Sequence, residues 1–141
     1  MLEGKNIRLR PLKKSDMDFT LIWRNNPEII HQAMLVAFPK TEAMEAGWFE
    51  HALSDISNRN IYFGIEEKET GAFSGIVQIT GIDWISGTGT FGIIIGDESK
   101  RGKGFGFQAS SLLFEYAFNT LNLRKIISYL VADNLATIHL H

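Results

Sequence analysis

The feature that most constrains this chain is a glycine-rich junction, Arg101-Gly102-Lys103-Gly104-Phe105-Gly106, set between an apolar run at residues 91–95 and an apolar-periodic segment that begins near Phe107. The run reads as a buried strand and the periodic segment as a helix, so the glycines occupy a strand-to-helix turn. Gly102, Gly104 and Gly106 let the backbone take positive φ and come close to a ligand, so that successive N–H groups form one concavity. The helix behind them adds its own unpaired N–H groups and the positive end of its dipole. Lys100, Arg101 and Lys103 bring three cations to the same place in a chain of formal net charge −2. An anionic, phosphate-bearing ligand is the partner this pattern suits. A glycine cluster also makes ordinary tight turns and a cationic run also makes solvated surface; spacing does not separate these readings. It does exclude two phosphate loops. No Gly-x-x-x-x-Gly-Lys-Ser/Thr run occurs, and a dinucleotide fingerprint read from Gly102 would need glycine at Phe107.

The flanking sequence supplies the rest of an α+β domain. Residues 6–12, Asn-Ile-Arg-Leu-Arg-Pro-Leu, alternate with period two and predict a strand that Pro11 places at an edge or an end. Ser15 reads as the N-cap of a helix carrying Met17, Phe19, Leu21, Ile22 and Trp23, stopped by Asn25-Asn26-Pro27. Residues 28–39 are apolar without a clear period and predict a helix or loop over a substrate site. Thr41 caps a second predicted helix whose Met44, Trp48, Phe49, Ala52, Leu53 and Ile56 form an expected core-facing stripe. Residues 61–65 and 73–82 flank a polar connection ending in Gly71, which predicts an antiparallel hairpin, and a third strand at 88–95 follows the turn Ser86-Gly87. Beyond the glycine junction, Ala109, Leu112, Leu113, Tyr116, Ala117 and Leu121 mark the long helix, 125–131 a β-branched strand, and 134–141 a last helical segment.

Composition bounds the function. At 141 residues, 45% hydrophobic and 21% charged, with 14 basic against 16 acidic residues and no cysteine, the chain predicts one globular domain over 1–141 with no disulfide framework or thiolate chemistry. No run approaches the length of a membrane span, the first residues lack a secretion signal, and the single basic cluster sits in the glycine loop. A cytoplasmic protein that binds neither membrane nor nucleic acid is expected.

The order of elements and motifs resembles the GNAT superfamily of acyl-CoA-dependent N-acetyltransferases. The family motif Arg/Gln-x-x-Gly-x-Gly/Ala is matched by Arg101, Gly104 and Gly106. Phe91-Gly-Ile-Ile-Ile-Gly-Asp97, Leu113-Phe-Glu-Tyr-Ala-Phe118, Leu121-Asn-Leu123 and Asn134-x-Ala136-x-Ile138-x-Leu140 follow in the order of the branch resembling ribosomal-protein-alanine and spermidine acetyltransferases. Ile7-Arg-Leu-Arg-Pro-Leu12 and Trp23-Arg-Asn-Asn-Pro27 also resemble that branch, so the similarity runs over nearly the whole chain.

The resemblance implies a GNAT-like mixed, mostly antiparallel central sheet flanked by helices, with acetyl-CoA as co-substrate and no metal. The CoA pyrophosphate would lie on Lys100, Arg101, Gly102, Lys103, Gly104, Phe105 and Gly106. The pantetheine arm would lie between the strands at 88–95 and 125–131, contacted by Asn134, and a backbone N–H at Ile94 or Ile95 would polarise the thioester carbonyl. A neutral amine would attack directly. The pattern departs from its relatives twice. Thr90 stands where they often carry Glu, which leaves Asp83 as the nearest candidate base, with a turn or capping role as its alternative. The chain reads His141 where relatives continue with Tyr, which makes His141 the candidate acid, with a mobile chain end as its alternative. Ending at His141 also omits two strands that the family adds, so the fold is expected to be C-terminally shortened, either as part of a longer protein or with a homodimer partner over the exposed strand edge. For the acceptor, residues 31–40 hold no carboxylate, which favours a protein N-terminus or an amino-sugar nucleotide over a polyamine. A catalytically weak acyl-CoA-binding or regulatory domain, or an inactive fragment, is the competing reading.

Overall fold

The computed structural model describes residues 2–29, 41–96 and 104–128. Six strands, β1 (Leu2–Glu3), β2 (Ile7–Pro11), β3 (Ile61–Glu67), β4 (Phe73–Asp83), β5 (Thr88–Ile95) and β6 (Lys125–Ser128), make one sheet in the order β1-β2-β3-β4-β5-β6. Neighbours are antiparallel except for β5 and β6, which run parallel. A parallel pair needs a crossover, and α3 (Phe105–Asn119) supplies it. This is the mixed, mostly antiparallel sheet flanked by helices that the sequence led us to expect, with β1 as an added edge strand.

Strand alternation divides the side chains between two cores. Ile7, Leu9, Phe63, Ile65, Val77, Ile79 and Phe91 face α3, which buries Phe105, Ala109, Leu113 and Ala117 against them. The other face carries Ile76 and Ile94 and is covered by Trp23 of α1 (Met17–Arg24), Ile29, and Phe49 of α2 (Glu42–Ser54). On that second face Arg10 is the organiser. Its guanidinium meets both carboxylate oxygens of Asp16 at 2.8 and 3.0 Å and Glu66 at 3.1 Å, and stands 5.3 Å over the Phe73 ring.

Three expectations change in detail. Ser15 does not cap α1: it lies in a 3₁₀ turn, Lys14–Asp16, where the Asp16 carboxylate accepts the Lys13 N–H at 2.8 Å, because Arg10 draws Asp16 inward. Thr41 does cap α2, accepting the Met44 N–H at 3.1 Å, but the stripe it introduces is not the buried one. Phe49 and Glu45 are buried and Trp48 half-buried, whereas Met44 is 58% and Ile56 90% exposed. The helix rests on a narrow i, i+4 line because Glu45 pairs with Arg24 of α1 at 2.8 Å, rolling the other apolar positions outward. The long helix begins at Phe105 rather than Phe107 and ends before Leu121, which still packs on the core. Of residues 28–39, expected over the substrate site, 30–39 lie outside the described residues, as does the last predicted segment, 134–141.

Candidate active site

The glycine junction is described from Gly104 onward; Lys100, Arg101, Gly102 and Lys103 lie outside the described residues, as do Asn134 and His141. Gly104 is the N-cap of α3 with φ 77°, in the left-handed region that side chains disfavour, and no atom stands within 4 Å of where its Cβ would be. Glycine is therefore required by the backbone turn and not by crowding. Among the described residues no side chain caps the helix, and no acidic residue occupies its first turn, so nothing described there neutralises the positive end of its dipole. That arrangement suits a phosphate group. Phe105 anchors the turn in the core, and a Cβ on Gly106 would stand 3.9 Å from Ile93 and Ile95, so the start of α3 lies against the end of β5.

The end of β5 is fixed from the other side as well. Gly96 donates to Ser74 O at 3.0 Å, and a Cβ there would collide with the Trp23 indole, so only glycine lets α1 close over this point. That hydrogen bond also sets the phase of the strand. With Ile94 opposite Ile76 and Ile95 opposite Gly75, alternation directs the Ile94 N–H toward β4 and the Ile95 N–H toward the β6 edge. The parallel ladder with β6 runs from Thr88 opposite Lys125 to Phe91 opposite Ser128, and Gly92 to Ile95 continue past it as register partners of β4. Of the two candidate N–H donors, Ile95 therefore addresses the β5–β6 side and Ile94 sits in the sheet, buried beneath Trp23 and Phe49.

Asp83 is placed at the far end of this strand pair. It lies opposite Thr88, and its Oδ1 accepts the N–H groups of Ile85 at 3.0 Å and Ser86 at 3.2 Å. Those turn amides hold its carboxyl below the usual carboxylate range, which favours the ionised form and weakens it as a proton acceptor. Six residues of strand, roughly 20 Å, separate Thr88 from Ile94.

The structure brings Tyr62, Gln78 and Thr80, which the sequence reading did not single out, together with Gly92 and Thr90. On the face shared with Ile94, the register aligns Tyr62, Gln78 and Gly92 in one row and Thr80 with Thr90 in the next. Tyr62 meets Trp48 nearly edge-on at 5.4 Å, and burial, then the nearby Asp55 charge, raises its phenol pKa. Asp55 lies half-buried at the rim and accepts from Asn60 at 2.7 Å and Ser57 at 2.8 Å. The available signal was Gln78, an amide set between Val77 and Ile79 in β4. Its meaning depends on register, which pattern alone does not give.

Among the described residues no group of three or more His, Cys, Asp or Glu could hold a metal ion, and no helix is long and apolar enough to cross a membrane.

A family model described as an acetyltransferase (GNAT) domain matches residues 6–141. The chain is 27% identical over 138 residues to the spermidine N(1)-acetyltransferase of Vibrio cholerae, covering 98% of this chain and 77% of that protein. It is 26% identical over 151 residues to the Escherichia coli K12 spermidine N(1)-acetyltransferase, covering 100% of this chain and 73% of that protein. Among solved structures, the Vibrio cholerae spermidine N-acetyltransferase in complex with CoA and spermine superposes with a TM-score of 0.83 at 25% identity, covering 97% of this chain and 78% of that one.

Proposed function

The chain belongs to the acetyltransferase (GNAT) family, and from that membership we propose that it moves the acetyl group of acetyl-CoA to a primary amine of the polyamine class. Acyl transfer with acetyl-CoA as co-substrate follows from the family; the acceptor class is the proposal. One observation carries it: relatives that match 98–100% of this chain are spermidine acetyltransferases. This reverses the preference drawn from residues 31–40. A polycation can be met elsewhere, and Glu42, Glu50 and Asp55 lie on α2 and its following turn with no Lys or Arg among residues 41–57.

In this reading the N–H groups at the start of α3, with Lys100, Arg101, Gly102, Lys103, Gly104, Phe105 and Gly106, hold the CoA pyrophosphate, and Asn134 contacts the pantetheine arm. The uncapped first turn and the left-handed Gly104 support the pyrophosphate site. The Ile95 N–H, directed to the β6 edge, is favoured over Ile94 as the donor to the thioester carbonyl. The amine nitrogen attacks the carbonyl carbon, the C–S bond breaks, and the proton leaving the new ammonium balances the proton taken up by the thiolate. His141 is retained as the candidate acid and is tested by His141→Ala. The turn-bound Asp83 is not assigned the base role. A second copy of the chain over the β6 edge is proposed as well, supported by Ile127, 39% exposed on that strand; solution mass tests it.

The deciding assay is release of free thiol from acetyl-CoA with spermidine, spermine, an alanine-terminated peptide and an amino-sugar nucleotide. Turnover on the polyamines well above the other two is expected. Preference for the peptide or the sugar nucleotide would restore the earlier ordering, and no release with any amine would favour a catalytically weak CoA-binding domain.

A further inference from the structure

We propose that Gln78, aided by Tyr62, is the residue that receives the attacking amine, and that this chain holds the reacting end of its acceptor on a neutral polar floor. The inference rests on the acetyltransferase reading and adds to it a named acceptor contact and the chemical form in which the amine is bound.

Four observations converge. The first is position. Tyr62, Gln78 and Gly92 are successive register partners across β3, β4 and β5, on the same sheet face as Ile76 and Ile94. Gly92 lies two residues before Ile94 on β5, about 7 Å along the strand. The row is therefore next to the segment from which a thioester would be addressed.

The second is space. Gly92 offers no side chain, and a Cβ built on it would stand 3.4 Å from both Cγ and Nε2 of Gln78. The Gln78 side chain thus packs across Gly92, where the missing side chain lets its amide lie over β5.

The third is unused hydrogen-bonding capacity. The charged groups nearer α1 on this face are paired: Arg10 with Asp16 and Glu66, and Arg24 with Glu45. The Gln78 amide and the hydroxyls of Tyr62, Thr80 and Thr90 make no side-chain hydrogen bond among the described residues, though each is partly withdrawn from water. Half-buried polar groups with hydrogen-bonding capacity to spare are what a polar ligand completes.

The fourth is chemistry. The row carries an amide and hydroxyls and no carboxylate. An amide oxygen accepts an N–H from a neutral amine and turns its lone pair, while offering an ammonium no charge compensation. The reactive, uncharged nitrogen is the form this floor favours.

The experiment measures steady-state KM for spermidine and for acetyl-CoA separately. Gln78→Ala should raise KM for the amine about tenfold, the loss of one good hydrogen bond, and leave KM for acetyl-CoA within about twofold. Tyr62→Phe should raise it about threefold. If Gln78→Ala does not fold, the volume-conserving Gln78→Met gives the same reading. An amine KM within twofold of wild type in the Gln78 variant, or an equal rise in both KM values, overturns the proposal while leaving the acetyltransferase reading in place. A wild-type protein that acetylates no amine overturns both.

Discussion

The two faces of the sheet are built by different physics. Under α3 the core is continuous hydrocarbon, from Ile7 and Leu9 through Phe63, Ile65, Val77 and Ile79 to Leu113 and Ala117. Under α1 and α2 it is a patchwork, with an apolar cluster at Trp23, Phe49, Ile76 and Ile94 bordered by the Arg10 network on one side and the Tyr62, Gln78 and Thr90 floor on the other. The first face stabilises the fold and places the start of α3 against β5. The second holds polar side chains that make no side-chain hydrogen bond among the described residues, so it tolerates fewer simple substitutions and reveals less of itself to pattern reading.

The largest effect should come from breaking the charged side. Arg10→Ala removes the partner of buried Asp16 and of Glu66 and should cost about 3–5 kcal/mol of unfolding free energy, measured by chemical denaturation. A loss under 1 kcal/mol would mean that this network is solvated and that the contrast between faces is overstated. Leu113→Ala on the hydrocarbon face should cost about 3 kcal/mol, through lost burial and the cavity left behind. The same scan should show Met44→Ala within about 0.5 kcal/mol of wild type, because that side chain is largely exposed despite its place in an apolar stripe.

A smaller and more local effect is expected at the junction of the two faces. Gly104→Val forces a β-branched residue into positive φ at the N-cap of α3 and should weaken acetyl-CoA binding at least tenfold by calorimetry, at a stability cost of about 1–3 kcal/mol. Unchanged affinity would remove the phosphate site from this helix end. Asp83→Asn distinguishes a turn residue from a base: kcat should stay within about twofold, whereas loss of a general base would lower it about a hundredfold or more.

The smallest effect concerns pH. The Asp55 carboxyl is held down to about 2 by hydrogen bonds from Ser57 and Asn60, and Asp83 is held below its usual value by the amides of Ser86 and Ile85. Both have folded values below their unfolded ones. Their contribution is therefore present above the unfolded carboxylate range and is lost as pH falls through the folded value. A carboxyl-detected NMR titration should give an Asp55 midpoint near 2. A midpoint at the ordinary Asp value would show that the turn bonds are not held in solution.

The hydrocarbon face was legible in advance because its signals are local. Alternation at Ile7 and Leu9, the hairpin around Gly71, the strand at 88–95 and the periodic face at Ala109, Leu113 and Ala117 each follow from neighbours in sequence. The Thr41 cap was legible for the same reason. What failed were details of the helices that are set by charged partners outside them. Ser15 yielded its expected cap to the buried Asp16, which Arg10 of β2 holds, and the α2 stripe turned outward because Glu45 answers Arg24 of α1.

By itself, then, the sequence determined the order of elements, the glycine junction and its likeness to a CoA-dependent family, since strand period, helix period and positive-φ turns are properties of contiguous residues. Only the tertiary structure decided which apolar residues are core, that the Ile95 N–H faces the β6 edge, that Asp83 holds a turn, and that Gln78 meets Tyr62 and Gly92. Register and helix roll are set by contacts between residues far apart in the chain, and those contacts join Tyr62 to a glycine thirty residues away.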